Sequence, residues 1–323
     1  MPWIVAGIVI LVAPSLTMLG LLTWLHIYLR VKYLDNVVRI FLEKPLFIIP
    51  RGQPEEDAED VTFPTTDHLR LRGCYLKARS SPRRGVILFG LEFGSNRWAA
   101  GPACADLRAA GFDIFTYEPR NQGDSDRQDG FEPLQWVTDR EVADCRAAIA
   151  YLKSRPDADP RGIGLYGFSK GANAGLLVAA EEPWIRCAVT DGAFATYTVM
   201  VPYMRYWFSI YNPHYVLHGL LNAWYYGLIA IAAVRKIERE RGVKYPDVET
   251  ALKRFRRPLL MIHGGGDTYI KSDMAKALFA YAKPPKELWI VPEAKHNQAP
   301  VVAPEEYRQK LLDFIERNLA GVG

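Results

Sequence analysis

From residue 61 onward, short apolar runs alternate with longer segments of helical pattern, and glycine bounds several of the runs. Gly85-Val-Ile-Leu-Phe-Gly90 and Gly162-Ile-Gly-Leu-Tyr-Gly167 are too short for helices and carry no polar alternation. They read as strands buried on both faces. Asp113–Tyr117, Arg186–Thr190, Leu259–His263 and Glu287–Val291 read likewise, while Val61–Pro64 and Leu69–Lys77 look like an opening antiparallel pair. Helical patterns fall over 98–110, 135–153 and 172–180, and begin again at Asp273 and Glu305. Strand–helix–strand repetition of this kind specifies an α/β protein: a mostly parallel central sheet with helices on both faces. Such a sheet places reactive groups on loops at the carboxyl ends of its strands.

One strand end carries a distinctive turn. The strand ending at Tyr166 runs into Gly167-Phe168-Ser169-Lys170-Gly171, followed by the small residues Ala172, Asn173, Ala174 and Gly175. In a strand–turn–helix setting, Gly-x-Ser-x-Gly lifts a strained serine over the sheet edge, and the glycines remove side chains that would clash. The hydroxyl then sits at a helix N-terminus, where developing negative charge is favoured. A serine needs a base, and the base an orienting acid. Asp267 lies just past the strand that ends in His263, and His296 lies just past the strand that ends in Val291. Ser169, Asp267 and His296 therefore fall at strand ends in the chain order a nucleophile elbow expects. Asp191 also follows a strand and is the second choice of acid.

Composition narrows the rest. With 49% apolar and 24% charged residues, the chain carries enough apolar surface to order itself, which excludes a disordered protein. Four cysteines without regular spacing make no disulfide framework, and they agree with a reducing compartment. The net charge is +4, but no Lys/Arg run interleaved with aromatics occurs, so no nucleic-acid partner is expected. No Gly-x-Gly-x-x-Gly follows the first strands, and no cofactor is expected. His214 and His218 have the i, i+4 spacing of metal ligands, yet no third ligand or adjacent Glu accompanies them, so no metal is expected.

Two uncharged stretches raise the question of a membrane. Trp3 to Leu29 carries no charged side chain, longer than the ~20 residues that span a bilayer, with Pro14 inside it. No basic residue precedes the run and no small-x-small site follows it, which favours an uncleaved anchor over a signal peptide. Arg30, Lys32, Arg39 and Lys44 follow it, so the expectation is a single-pass protein with its N-terminus outside and its catalytic body in the cytoplasm. The domain reading is a transmembrane anchor over 1–30, a juxtamembrane helix and linker over 31–60, and a catalytic domain over 61–318. Val216–Val234 has the length of a second span, but one crossing there would put Ser169 and Asp267 on opposite sides of the bilayer. A helical cap over about 195–250 is the better reading, with its aromatic belt a second candidate for lipid contact.

Together these motifs resemble the serine hydrolases of the α/β-hydrolase superfamily, over about residues 61–318. The matching pieces are Phe89-Gly90-Leu91, Glu118-Pro-Arg-Asn-Gln-Gly123-Asp-Ser125, the elbow, His263-Gly264-Gly-Gly-Asp267 and Lys295-His296-Asn297. Within the superfamily the chain is similar to the BEM46-like and serine aminopeptidase-like branches, which tend to carry a hydrophobic N-terminal helix. The resemblance implies the α/β-hydrolase fold, with Ser169 as nucleophile, His296 as base and Asp267 as acid. It also implies that the backbone N–H groups of Leu91 and Lys170 form the oxyanion hole. The chain departs from the family pattern at Phe89, where His is usual, and at Glu118 and Asn121, where Asp and Gly are more common. Glu92 beside the oxyanion loop is unusual, because a carboxylate there opposes a developing oxyanion unless it points away or binds a cation. The expected activity is acyl transfer from an ester or thioester, with a small-molecule or lipid-like acyl substrate. An aminopeptidase- or amidase-like hydrolase and a catalytically silent, membrane-tethered binding domain are the alternatives.

Overall fold

The computed structural model describes residues 2–42, 49, 51–204 and 223–320. Its centre is an eight-stranded sheet built from β1 (Ala58–Pro64), β2 (Arg70–Leu76), β3 (Gly85–Gly90), β4 (Phe112–Tyr117), β5 (Ile163–Phe168), β6 (Ile185–Asp191), β7 (Leu259–Gly264) and β8 (Lys286–Val291). The strand order is β1-β2-β4-β3-β5-β6-β7-β8. β2 pairs antiparallel with β1 and β4, and every other pairing is parallel. Burial follows position in the sheet. The inner strands β3, β4 and β7 are buried at every residue, as both faces are covered, whereas edge strand β1 buries only Val61 and Phe63.

Helices cover both faces. On one side lie α4 (Asp139–Ser154), α5 (Ser169–Ala179), α7 (Val248–Arg254) and α8 (Ser272–Tyr281). Their apolar residues join β1 and alternate residues of the strands in one core cluster. On the other side lie α2 (Ala100–Ala103), α3 (Ala105–Ala109), α9 (Ala299–Val302) and α10 (Pro304–Ile315), packed on Ile87, Phe89, Tyr166 and Ile262. α4 starts at Asp139 rather than at residue 135, because a capping box ends the loop there. Glu141 accepts from the Thr138 N–H at 2.7 Å and from its hydroxyl at 2.8 Å. α5 starts at Ser169 itself, three residues before the apolar pattern begins.

The N-terminal reading is corrected. Among the described residues no helix is long and apolar enough to cross a membrane. This overturns the expected transmembrane anchor, its orientation and the single-pass cytoplasmic placement, and leaves the membrane as partner without support. Helix α1 (Pro2–Leu42) runs for 41 residues and passes through Pro14 and through Arg30, Lys32 and Arg39, which were expected to follow a span. Over 14–28 the apolar residues are interrupted by Pro14, Ser15, Thr17, Thr23 and His26, and the charges of Arg30 and Lys32 come directly after. Its last turns dock on the protein instead. Tyr33, Val37 and Val38 are buried in the main core, and Asp35 pairs with Lys236 of α6 (Ala223–Arg241). Part of the expected cap, residues 205–222, lies outside the described residues, and with it His214, His218 and the first seven residues of Val216–Val234.

Candidate active site

Ser169 stands where β5 turns into α5, with a left-handed φ of 45°. A non-glycine residue in that region is strained, and the turn is kept tight by close backbone approach around it. A Cβ built on Gly171 would lie 2.3 Å from the Gly90 carbonyl carbon, so the end of β3 rests on the first turn of α5. Because the clashing atoms are backbone on both sides, no rotamer change relieves them. Gly171→Ala is expected to destabilise the protein by about 1–3 kcal/mol, the usual cost of overpacking, read as a lower urea midpoint with an unchanged slope.

Asp267 and His296 reach Ser169 through a second close approach. A Cβ on Gly264, the last residue of β7, would meet the Ala294 carbonyl at 2.3 Å, so the loop after β8 folds directly over the loop after β7. There the His296 Nδ1–H donates to Asp267 Oδ2 at 2.6 Å, and the Ser169 hydroxyl lies 3.0 Å from His296 Nε2. Only 1% of Ser169, 4% of Asp267 and 9% of His296 is exposed. The other Asp267 oxygen accepts from the N–H groups of Tyr269 at 2.8 Å and Ile270 at 3.0 Å, which fixes the carboxylate plane. His263 donates through Nε2 to the Ile270 carbonyl at 2.6 Å, and burial holds its pKa below the ordinary imidazole value. For His296, burial opposes the charged ring. The hydrogen bond and charge of Asp267, helped by Glu92 and Asp191, outweigh it and raise the pKa above 6.5. This arrangement can draw a proton from the serine and hold the resulting imidazolium.

The expected oxyanion donors lie on either side of the Gly90–Gly171 contact. Leu91 follows β3 and Lys170 is the second residue of α5, in the first helical turn, whose N–H groups have no intrahelical acceptor. Glu92 is buried, and burial raises its carboxyl pKa despite the nearby Asn297 and His296. Asp191 ends β6, and the Nδ1 of His296 is taken by Asp267 instead. Asp191 is fully buried, and neither of its oxygens closes a hydrogen bond. Burial pushes its carboxyl up to about 7, while Tyr307 and His296 act the other way.

One supporting residue, Arg97, was not singled out in the sequence. Glu118 accepts from the Arg97 N–H at 3.0 Å and from its guanidinium at 2.9 Å, which ties the segment after the oxyanion loop to the loop after β4. The Ser125 hydroxyl donates to the Glu118 carbonyl at 2.6 Å. Glu118 was marked only as part of a family motif, departing from the usual Asp, directly after a buried strand. Nothing marked Arg97 as its partner.

A cavity of about 410 Å³ opens beside the site, between the oxyanion loop, α3 and α10. Phe89, Leu91, Glu92, Phe168, Asn297 and Val301 are among its walls. Among the described residues no group of three or more His, Cys, Asp or Glu is arranged to hold a metal ion. The four cysteines are all buried and free.

The model of the alpha/beta hydrolase family matches residues 89–310, a stretch that includes Leu91, Ser169, Lys170, Asp267 and His296. The uncharacterized protein YfhR of Escherichia coli (strain K12) is 27% identical over 274 residues, 82% of each chain. Thiohydrolase apmlB of Arthrinium phaeospermum is 33% identical over 132 residues, 41% of this chain and 42% of its own. Among solved structures, the Pyrococcus furiosus esterase Pf2001 superposes with a TM-score of 0.62 at 21% identity, covering 86% of this chain and 100% of the esterase. At that identity the likeness speaks to the fold alone.

Proposed function

Because the chain belongs to the alpha/beta hydrolase family, we propose that it is a serine hydrolase that cleaves a carboxylic ester or thioester. The observation that carries this reading is the continuous hydrogen-bonded chain Ser169–His296–Asp267 at the carboxyl edge of the sheet. In the proposed reaction His296 takes the Ser169 proton as Oγ attacks the acyl carbon. The N–H groups of Leu91 and Lys170 hold the oxyanion, and His296 then returns the proton to the leaving oxygen or sulfur. Water, deprotonated by His296, releases the acyl-enzyme by the same route. Asp267 holds the ring orientation and stabilises its cation. Within the family, the quoted motifs favour the BEM46-like and serine aminopeptidase-like branches. In this reading the insertion over about 195–250, of which 205–222 lie outside the described residues, is the cap.

The substrate in this reading carries an apolar chain. The 410 Å³ cavity has the size of a small-molecule site, and its apolar walls include Phe89, Leu91, Leu107, Phe168 and Val301. One similar protein is called an esterase and another a thiohydrolase, and both words fit acyl transfer to serine. A second reading, an aminopeptidase- or amidase-like hydrolase, is favoured by Glu92, a buried carboxylate close to His296 that suits a substrate amine.

The test is fluorophosphonate labelling of the folded protein, followed by p-nitrophenyl esters and matched thioesters from acetyl to lauroyl. Stoichiometric labelling is expected, with kcat/KM rising by roughly tenfold or more from acetyl to a mid-length chain as methylenes enter the cavity. Peptide β-naphthylamides turned over faster than all esters would favour the amine-binding reading. Folded protein that neither labels nor turns over any of these would remove the hydrolase reading altogether.

A further inference from the structure

The residue that follows the nucleophile carries a lysine side chain into the interior. Lys170 is 4% exposed, and its ammonium bonds to the Glu141 carboxylate and to the Leu134 carbonyl. Glu141 does not swing free: its other oxygen is held by the N–H and hydroxyl of Thr138 at the start of α4. The same ammonium stands 5.1 Å from the centre of the Phe93 ring. Phe93 lies two residues beyond Leu91, the other expected oxyanion donor. One side chain thus touches three separate segments: α4, the loop before it, and the oxyanion loop. Its own backbone supplies the N–H on the elbow.

A buried Lys–Glu pair is a costly way to fill space, and apolar side chains of similar volume commonly do it at no loss of stability. What a charged pair adds is direction. The ammonium has three donors with fixed angles, here spent on a carboxylate, a carbonyl and the face of an aromatic ring. Oxyanion stabilisation depends on such fixed geometry, because the donors must meet the oxyanion at about 2.7–3.1 Å without rearranging. We propose that the Lys170 side chain, locked by Glu141, positions the oxyanion hole by tying the elbow N–H to the loop that carries Leu91. Lys170 acts in this through its backbone and through Phe93, so its side chain is a positioning group and takes no proton. The inference rests on Ser169 being the nucleophile.

The experiment compares wild type, Lys170→Met, Lys170→Arg, Glu141→Gln and the double variant Lys170→Met/Glu141→Gln. It measures kcat and KM for one ester, and inhibition by a trifluoromethyl ketone of matching acyl length, well below each variant's melting temperature. Lys170→Met and Glu141→Gln are each expected to lower kcat by roughly 10- to 100-fold with KM within about threefold of wild type. Ketone affinity should fall in step with kcat/KM, since the ketone adduct uses the same donors. The double variant should be no slower than the worse single one, and Lys170→Arg should recover part of the rate. If Lys170→Met does not fold, Glu141→Gln alone decides. A folded Glu141→Gln or Lys170→Met with kcat within twofold of wild type overturns the proposal, as does a loss confined to KM with ketone affinity unchanged. Wild type inactive on every ester would instead remove the hydrolase reading beneath it, so the two failures are distinguishable.

Discussion

Ser169→Ala and His296→Ala are each expected to lower ester turnover by roughly 10,000-fold or more, and Ser169→Ala/His296→Ala to be no slower than either. The reason is that the two groups act as one unit. Without the imidazole 3.0 Å away, the hydroxyl is not activated, and without the hydroxyl the imidazole has nothing to activate. KM should change little, because neither side chain makes an interaction that the bound ester needs before attack. Asp267→Asn is expected to approach the same loss. The carboxylate holds the Nδ1 proton, and an amide in its place would favour the other tautomer. Single-turnover kinetics on an activated ester checks this. Turnover by Ser169→Ala within tenfold of wild type would mean that another group performs the chemistry.

Asp191→Asn is expected to stabilise the protein at pH 8 by about 2–4 kcal/mol and to change stability little at pH 4.5. Asp191 is enclosed at the end of β6 with neither oxygen closing a hydrogen bond of good geometry, and burial outweighs the lowering pull of the Tyr307 hydroxyl. Burial raises its carboxyl from 3.8 to about 7 in the folded protein. The sign follows from proton binding. Between these two values the folded state holds a proton that the unfolded state has released, so stability falls as pH rises from about 4 to about 7. An asparagine has no proton to lose, so the variant should lack that decline. Urea midpoints of the two proteins across this range measure it. An equal offset at pH 4.5 and pH 8 would mean that Asp191 does not titrate in this window.

Part of the site could be read along the chain because its requirements are local. A strained serine between a strand and a helix needs glycines on both sides, and residues 167–171 carry them. A parallel sheet puts its loops at one edge, so the strand ends before Asp267 and His296 locate both residues with no knowledge of contacts. The opening antiparallel pair and the buried inner strands were legible for the same reason: their signal is the burial period of a few consecutive residues. The first uncharged run misled because hydropathy records composition along the chain and not what the helix packs against. Beyond Arg30 the same helix continues, and Tyr33, Val37 and Val38 turn it onto the protein.

The sequence by itself therefore determined the sheet, the elbow and the order in which serine, acid and histidine follow one another. Only the tertiary structure decided which charges meet. Glu141 stands 29 residues before Lys170, and Arg97 stands 21 before Glu118. Asp191 and Asp267 look equivalent as acids that follow strands, yet one is left without a hydrogen bond and the other accepts from His296. The energy of a charge depends on its solvation and on partners within a few ångströms. Those partners are set by how distant segments pack, and no local pattern of residues encodes that.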